Sequence, residues 1–125
     1  MTPSHYTHTK IEPIKVINSI NLGFNLGSAY KYLARAGHKG SKAEDLKKAI
    51  DFIGYEIGQK TFFCNDIKLQ RLRDFMIIES ENKIMVDFLN AIKNEYLFGA
   101  HYLESFISVL NKELQKSTEA TTTKD

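Results

Sequence analysis

The chain has 125 residues, 42% of them hydrophobic, with eight phenylalanines and six tyrosines, which is enough for one domain with a modest core and too apolar for a wholly disordered chain. A single cysteine, Cys64, excludes an internal disulfide framework and reads as a small half-buried thiol. The polar first ten residues contain no apolar signal segment, no stretch approaches the roughly 18 to 20 apolar residues of a membrane span, and the net charge of +2 is too small to name a partner, so a cytoplasmic protein without a membrane role is expected.

Glu12-Pro13 opens an apolar pattern at Ile14, Ile17 and Ile20, and Pro13 suits a first helical turn because its missing N–H would be unpaired there anyway. A short first helix ending near residues 21–23 is expected. Leu26, Tyr30 and Leu33 then align along a second helix over residues 26–36, which Gly37 terminates. Gly37-His38-Lys39-Gly40 reads as a glycine-bounded turn. Ser41 caps a third helix, with Glu44 at capping-box spacing, and Leu46, Ala49, Ile50, Ile53 and Ile57 carry it from residue 42 to about residue 59. Gly54 and Gly58 weaken it by up to about 1 kcal/mol each relative to alanine.

Residues 61–64 are too short to form a sheet without a partner run and are expected to be a connector. Asn65 or Asp66 caps a fourth helix bearing Leu69, Leu72, Phe75 and Met76, with a break at 79–81. Ile84, Met85, Phe88, Leu89, Ile92 and Tyr96, then Tyr102, Leu103, Phe106, Ile107, Leu110 and Leu114, recur at helical spacing. They predict two amphipathic helices or one long helix bent near Gly99. Such a stripe reads first as core packing and second as a surface for a partner helix or another copy of the chain. The tail 117–125 holds four threonines and no large apolar residue, and disorder is expected there. The predicted fold class is therefore all-α, a compact domain of about five to six helices. Residues 1–60 form one helical unit, 61–116 a helical extension packing on it, and the C-terminal helices are the surface for a homo-oligomer.

The segment with chemical potential is 27–51. Lys31 and Arg35 stand one helical turn apart and project from one face, beside Tyr32 or Tyr30 depending on phase. That face points toward the His38-Lys39 turn, and Lys42 adds charge at a helix N-terminus, where free N–H groups and the helix dipole favour a phosphate. The alternative from spacing is a solvated face in which Lys31, Arg35, Lys47 and Lys48 meet only water, with Glu44 and Asp45 pairing with Lys48. His5 and His8 have no cysteine or carboxylate at ligand spacing, so no metal site is assigned. His101 reads as a partly buried structural histidine. No Walker A loop, dinucleotide glycine fingerprint or nucleophile elbow is present, which excludes ordinary nucleotide-kinase architecture.

His5-Tyr6, Ile11-Glu12-Pro13-Ile14, Leu26-Gly27, the run from Lys31 through Gly40, and Glu44-Asp45-Leu46-Lys47-Lys48-Ala49 together resemble a phage family of nucleotide kinase-like proteins, over about half of the chain. The resemblance implies handling of nucleotide phosphates in a phage or prophage setting, including phosphorylation of nucleoside monophosphates without a P-loop. It nominates His5, Tyr6, Lys31, Tyr32, Arg35, Lys39 and Lys48 for nucleotide and phosphate binding. Asp45 and Asp51 are the catalytic candidates, with magnesium as the cofactor accompanying the nucleotide. Glu12 and Pro13 shape the approach to the first helix. The sequence departs from the family pattern after the lysines of the third helix, where it reads Asp51-Phe52-Ile53-Gly54-Tyr55 in place of an aromatic pair. Three readings stay open: phosphoryl transfer to a nucleoside monophosphate, sequestration of a nucleotide signal without turnover, and docking of the C-terminal helices on a host or other protein. Nucleic acid is disfavoured, because the basic cluster is short and the total charge nearly balanced.

Overall fold

The computed structural model describes residues 9–38 and 41–123, with side chains through residue 117. The described residues form six helices and no strand: α1 (Pro13–Ser19), α2 (Gly23–Arg35), α3 (Lys42–Gln59), α4 (Asp66–Ile78), α5 (Lys83–Phe98) and α6 (Tyr102–Thr123). The all-α expectation holds. Short polar side chains set the helix starts. Ser41 accepts from Glu44 N, Asn65 from Lys68 N and Asn82 from Met85 N, each satisfying a first-turn N–H that has no helical acceptor. Helix α1 starts at Pro13 without a side-chain cap, and α3 ends where Lys60 turns into the left-handed region.

Helix α6 outruns its apolar stripe, and α5 and α6 are separate helices. Helix α6 continues through residues 117–123, where composition predicts disorder. Propagating an existing helix gains one hydrogen bond per residue fixed, so a tail with no core of its own can extend a helix nucleated upstream. The α5–α6 alternative resolves into two helices because Gly99 adopts φ 96 and ψ −149, a conformation that ends the helix and that only glycine adopts without strain.

Helix α2 packs on α3, α3 on α6, α6 on α5, and α5 back on α2, closing a ring of four; α1 lies against α2 and α4, and α4 against α5. The inward stripes supply the core, including Leu26, Tyr30, Leu46, Ile53, Met85, Phe88, Leu89 and Leu110, all essentially inaccessible to water. Phe88 stacks on Phe106 with centroids 5.2 Å apart and leans on Tyr30 at 6.2 Å. Gly27 lets α1 approach α2, since a Cβ there would sit 3.0 Å from Ile17 Cγ2.

Three glutamate side chains serve the chain near the places where it enters or leaves a helix. Glu79, 1% exposed, receives Lys10 N at 2.8 Å on Oε1 and Ile11 N at 3.1 Å on Oε2. Glu56, at the end of α3, accepts from Asn25 Nδ2, Thr61 Oγ1 and Phe62 N. Glu95 Oε1 accepts from the N–H groups of Tyr102 and Leu103, capping α6 from the preceding helix.

Replacing Glu79 by alanine strands two part-buried N–H groups, and a loss of about 3 kcal/mol is expected. A shift in urea midpoint worth less than about 0.5 kcal/mol would show that water replaces the carboxylate there. Tyr30 gives a pH-dependent counterpart. Burial, reinforced by the Glu79 carboxylate, pushes its phenol well above the ordinary tyrosine range, and its hydroxyl has no hydrogen-bond partner among the described residues. The folded value lies above the unfolded one, so this stabilisation is whole below the ordinary pKa of about 10 and declines as pH rises past it. Tyr30→Phe is expected to stay within about 1 kcal/mol of the parent at neutral pH and to flatten the alkaline decline in urea stability.

Candidate functional site

Helices α2 and α3 pack antiparallel, so that one stripe of each lies along the other. On α2 the stripe is Phe24, Ser28, Tyr32 and Arg35; on α3 it is Tyr55, Phe52, Lys48 and Asp45. Arg35 Nε donates to Asp45 Oδ1 at 3.2 Å. The Arg35 guanidinium carbon lies 5.1 Å from the centre of the Tyr32 ring, and Lys48 Nζ lies 5.3 Å from the same ring. Tyr32 is stacked on Phe52 at 6.0 Å, and Phe52 meets Phe24 and Tyr55 edge-on at 5.5 and 5.8 Å.

The seam thus reads from a charged end to an aromatic end. Two cations on one tyrosine ring raise positive potential there, each held by the negative face of the ring. At the other end Phe24 is 76% and Tyr55 54% exposed, an apolar face turned to water rather than into the core. Asp45 is buried, while the side chain of Arg35 remains about one-third accessible. The Nε–Oδ1 bond restrains the guanidinium, which carries four further N–H hydrogens on its terminal nitrogens. Asp45 Oδ2 has no hydrogen-bond partner among the described residues.

Lys31, Tyr32, Arg35, Asp45 and Lys48 of the sequence-derived set share this region, Lys31 as an exposed neighbour of the stripe. The tyrosine beside the cations is Tyr32; Tyr30 turns into the core. His5, Tyr6, His8 and Lys39 lie outside the described residues. Asp45 pairs with Arg35 rather than with Lys48. Asp51 is exposed and six residues beyond Asp45 on α3, which places the two carboxylates about 120° apart around the helix and on separate faces. No group of three or more His, Cys, Asp or Glu able to hold a metal occurs among the described residues. Lys42 leans toward Glu113 at 3.8 Å on α6.

Phe24 and the aromatic pair Phe52 and Tyr55 complete the seam although sequence reasoning gave them no role. Their signal was an apolar residue in phase with the polar stripe: Phe24 precedes Ser28, Tyr32 and Arg35 at four, eight and eleven residues, off the core face. His101 is corrected as well. Its side chain is 78% exposed and bonded to Glu104 at 3.1 Å, because it occupies the sharp joint before α6, not an inward helical position. Cys64 is buried, and burial pushes its thiol up despite opposing help from Asn65 and Lys68, so it packs as a protonated thiol.

Residues 1–54 match the model of a family described as a protein of unknown function, DUF3310. No curated protein and no solved structure matches the chain. The matched segment contains α1, α2 and most of α3, hence nearly all of the seam, but the family description carries no activity. No helix among the described residues is long and apolar enough to cross a membrane.

The Arg35–Asp45 pair makes a prediction independent of any ligand. Arg35→Ala leaves a buried carboxylate without its counter-charge and is expected to cost about 2–4 kcal/mol, whereas Arg35→Met combined with Asp45→Leu is expected to restore most of that stability. Urea unfolding of the two variants checks it: equal losses in both would mean that the pair is not the source of the effect.

Proposed function

We propose that the α2–α3 seam binds the phosphate end of a nucleotide, with the base lying on the exposed aromatics. The observation that carries this reading is the Tyr32 ring with Arg35 and Lys48 on it, continuous with the Phe52, Phe24 and Tyr55 cluster. Arg35 supplies anchored, planar donors suited to two phosphate oxygens. Lys48 and Lys31 add diffuse positive charge. Phe24 and Tyr55 offer ring surface of the kind on which nucleobases stack, for about 1–3 kcal/mol per base.

The geometry favours binding over phosphoryl transfer. Asp45 is engaged in holding Arg35, and Asp51 sits on another face of α3, so the two do not converge as a magnesium site or as a metal and base pair. Asp45 is thus a positioning residue for the cation. A nucleotide-sequestering protein of phage or prophage origin needs no more than this surface. Docking of the C-terminal helices on a protein or a second copy remains the other reading, supported by the exposure of Leu97, Phe98 and Tyr102.

Thermal shift with nucleoside mono-, di- and triphosphates and cyclic dinucleotides, with and without magnesium, tests the proposal. A ligand at a hundred times its dissociation constant stabilises by about 2.7 kcal/mol. Because Arg35→Ala perturbs the fold, the informative variants are Lys48→Ala and Arg35→Lys. Each is expected to weaken binding about tenfold by calorimetry with little change in the melting temperature of the free protein. Absence of any ligand shift, or a shift indifferent to both variants, refutes the assignment and moves the weight to the C-terminal helices.

A further inference from the structure

A second concavity lies at the opposite end of α3, where the connector at 61–64 meets the α5–α6 joint. Its volume is about 530 Å³, within the range of small-molecule sites, and it shares no lining residue with the α2–α3 seam. The floor is apolar, formed by Leu26, Ile57, Ile92 and Leu103, with the protonated thiol of Cys64 among them. The ionisable lining is mostly acidic: Glu56, Glu95 and Glu104 against Lys60, with His101 at the rim.

The acidic groups differ in what they have left to offer. Glu56 uses both oxygens inside the protein. Among the described residues Glu95 commits Oε1 alone, to the α6 amides, and Glu104 Oε2 alone, to His101. Glu95 Oε2 and Glu104 Oε1 therefore remain as acceptors, and the exposed ring of Tyr96 lines the same cleft. Two carboxylate oxygens and a ring face are a cation-recognition set. The backbone around the mouth is held in uncommon conformations, with positive φ at Lys60, Gly99 and His101; such conformations persist where surrounding structure fixes a shape, and they concentrate at ligand sites.

We propose that this cleft is a binding site for a small organic ammonium ion, an aromatic or branched apolar body seated on the Leu26, Ile57, Ile92 and Leu103 floor with its ammonium between Glu95, Glu104 and the ring of Tyr96. An organic anion of the same shape meets the two carboxylates unfavourably. The assignment does not depend on the nucleotide reading.

Two probes of equal size and opposite charge test it on the isotope-labelled full chain: phenethylamine and phenylacetate, followed by amide chemical shifts. Phenethylamine is expected to give saturable shifts at millimolar concentration, confined to the amides of residues 60–64 and 95–104, and phenylacetate to bind at least about tenfold more weakly. Glu104→Gln, an exposed rim substitution that leaves the α6 cap intact, is expected to remove most of that preference while the rest of the spectrum stays unchanged. Equal response to the two probes, no saturable response to either, or a preference untouched by Glu104→Gln overturns the proposal.

Discussion

In the segment before α1, after α3 and at the start of α6, backbone N–H groups without a helical acceptor are met by a glutamate side chain. Glu79 serves residues 10 and 11, Glu56 serves Phe62 together with the side chains of Thr61 and Asn25, and Glu95 serves the first two amides of α6. A buried carboxylate without donors costs several kcal/mol, and buried N–H groups without acceptors cost as well. Meeting each other converts two liabilities into a fixed geometry. The paths of the chain before α1 and after α3 are therefore set by side chains distant in sequence from at least part of what they hold, and the start of α6 by a side chain from the helix before it.

This arrangement ties the family-matched N-terminal segment to the remainder. Glu79 belongs to the end of α4, yet its partners precede α1, 68 and 69 residues away. Asn25 at the start of α2 is joined to Glu56 and Gln59 at the end of α3, and the stripe of α3 that faces inward is covered by α6. The helices after residue 60 thus complete one core with α1 to α3. Removing them exposes Leu46, Ile53 and their neighbours and leaves the segment before α1 without its anchor.

The helical periods were legible because each α-helix repeats its apolar residue every three or four positions, and the caps at Ser41, Asn65 and Asn82 are local. The three glutamates were not read, although a trace of them is present. Glu56 follows Ile53 by three residues, Glu79 follows Met76, and Glu95 follows Ile92, so each continues an apolar stripe with a carboxylate in an inward position. What they bind depends on how the chain turns between or beyond helices, which periodicity does not encode. The seam shows the same division. Lys31 and Arg35 were legible from i, i+4 spacing, whereas the partnership of Arg35 with Asp45, and the alignment of Phe24 with Phe52, required the register of α2 against α3.

That register also decides what the cations can do. A lone surface arginine would lose side-chain freedom on meeting an anion, and a lysine on a flexible stem would lose as much. Arg35 has already been immobilised in folding, by Asp45 on one edge and Tyr32 beneath it, so an incoming phosphate meets donors that need no further ordering. Asp45 exerts a counter-effect, since its negative charge weakens the attraction that it helps to orient. For the proposed anion binding, the net attraction would be set by how much of the positive potential survives beyond the pair, and this would be the place of Lys48. Its ammonium rests on the same ring without a carboxylate partner among the described residues, adding charge that Asp45 does not cancel. An arginine held in place and a lysine left uncompensated are the two features on which the proposed anion binding would draw.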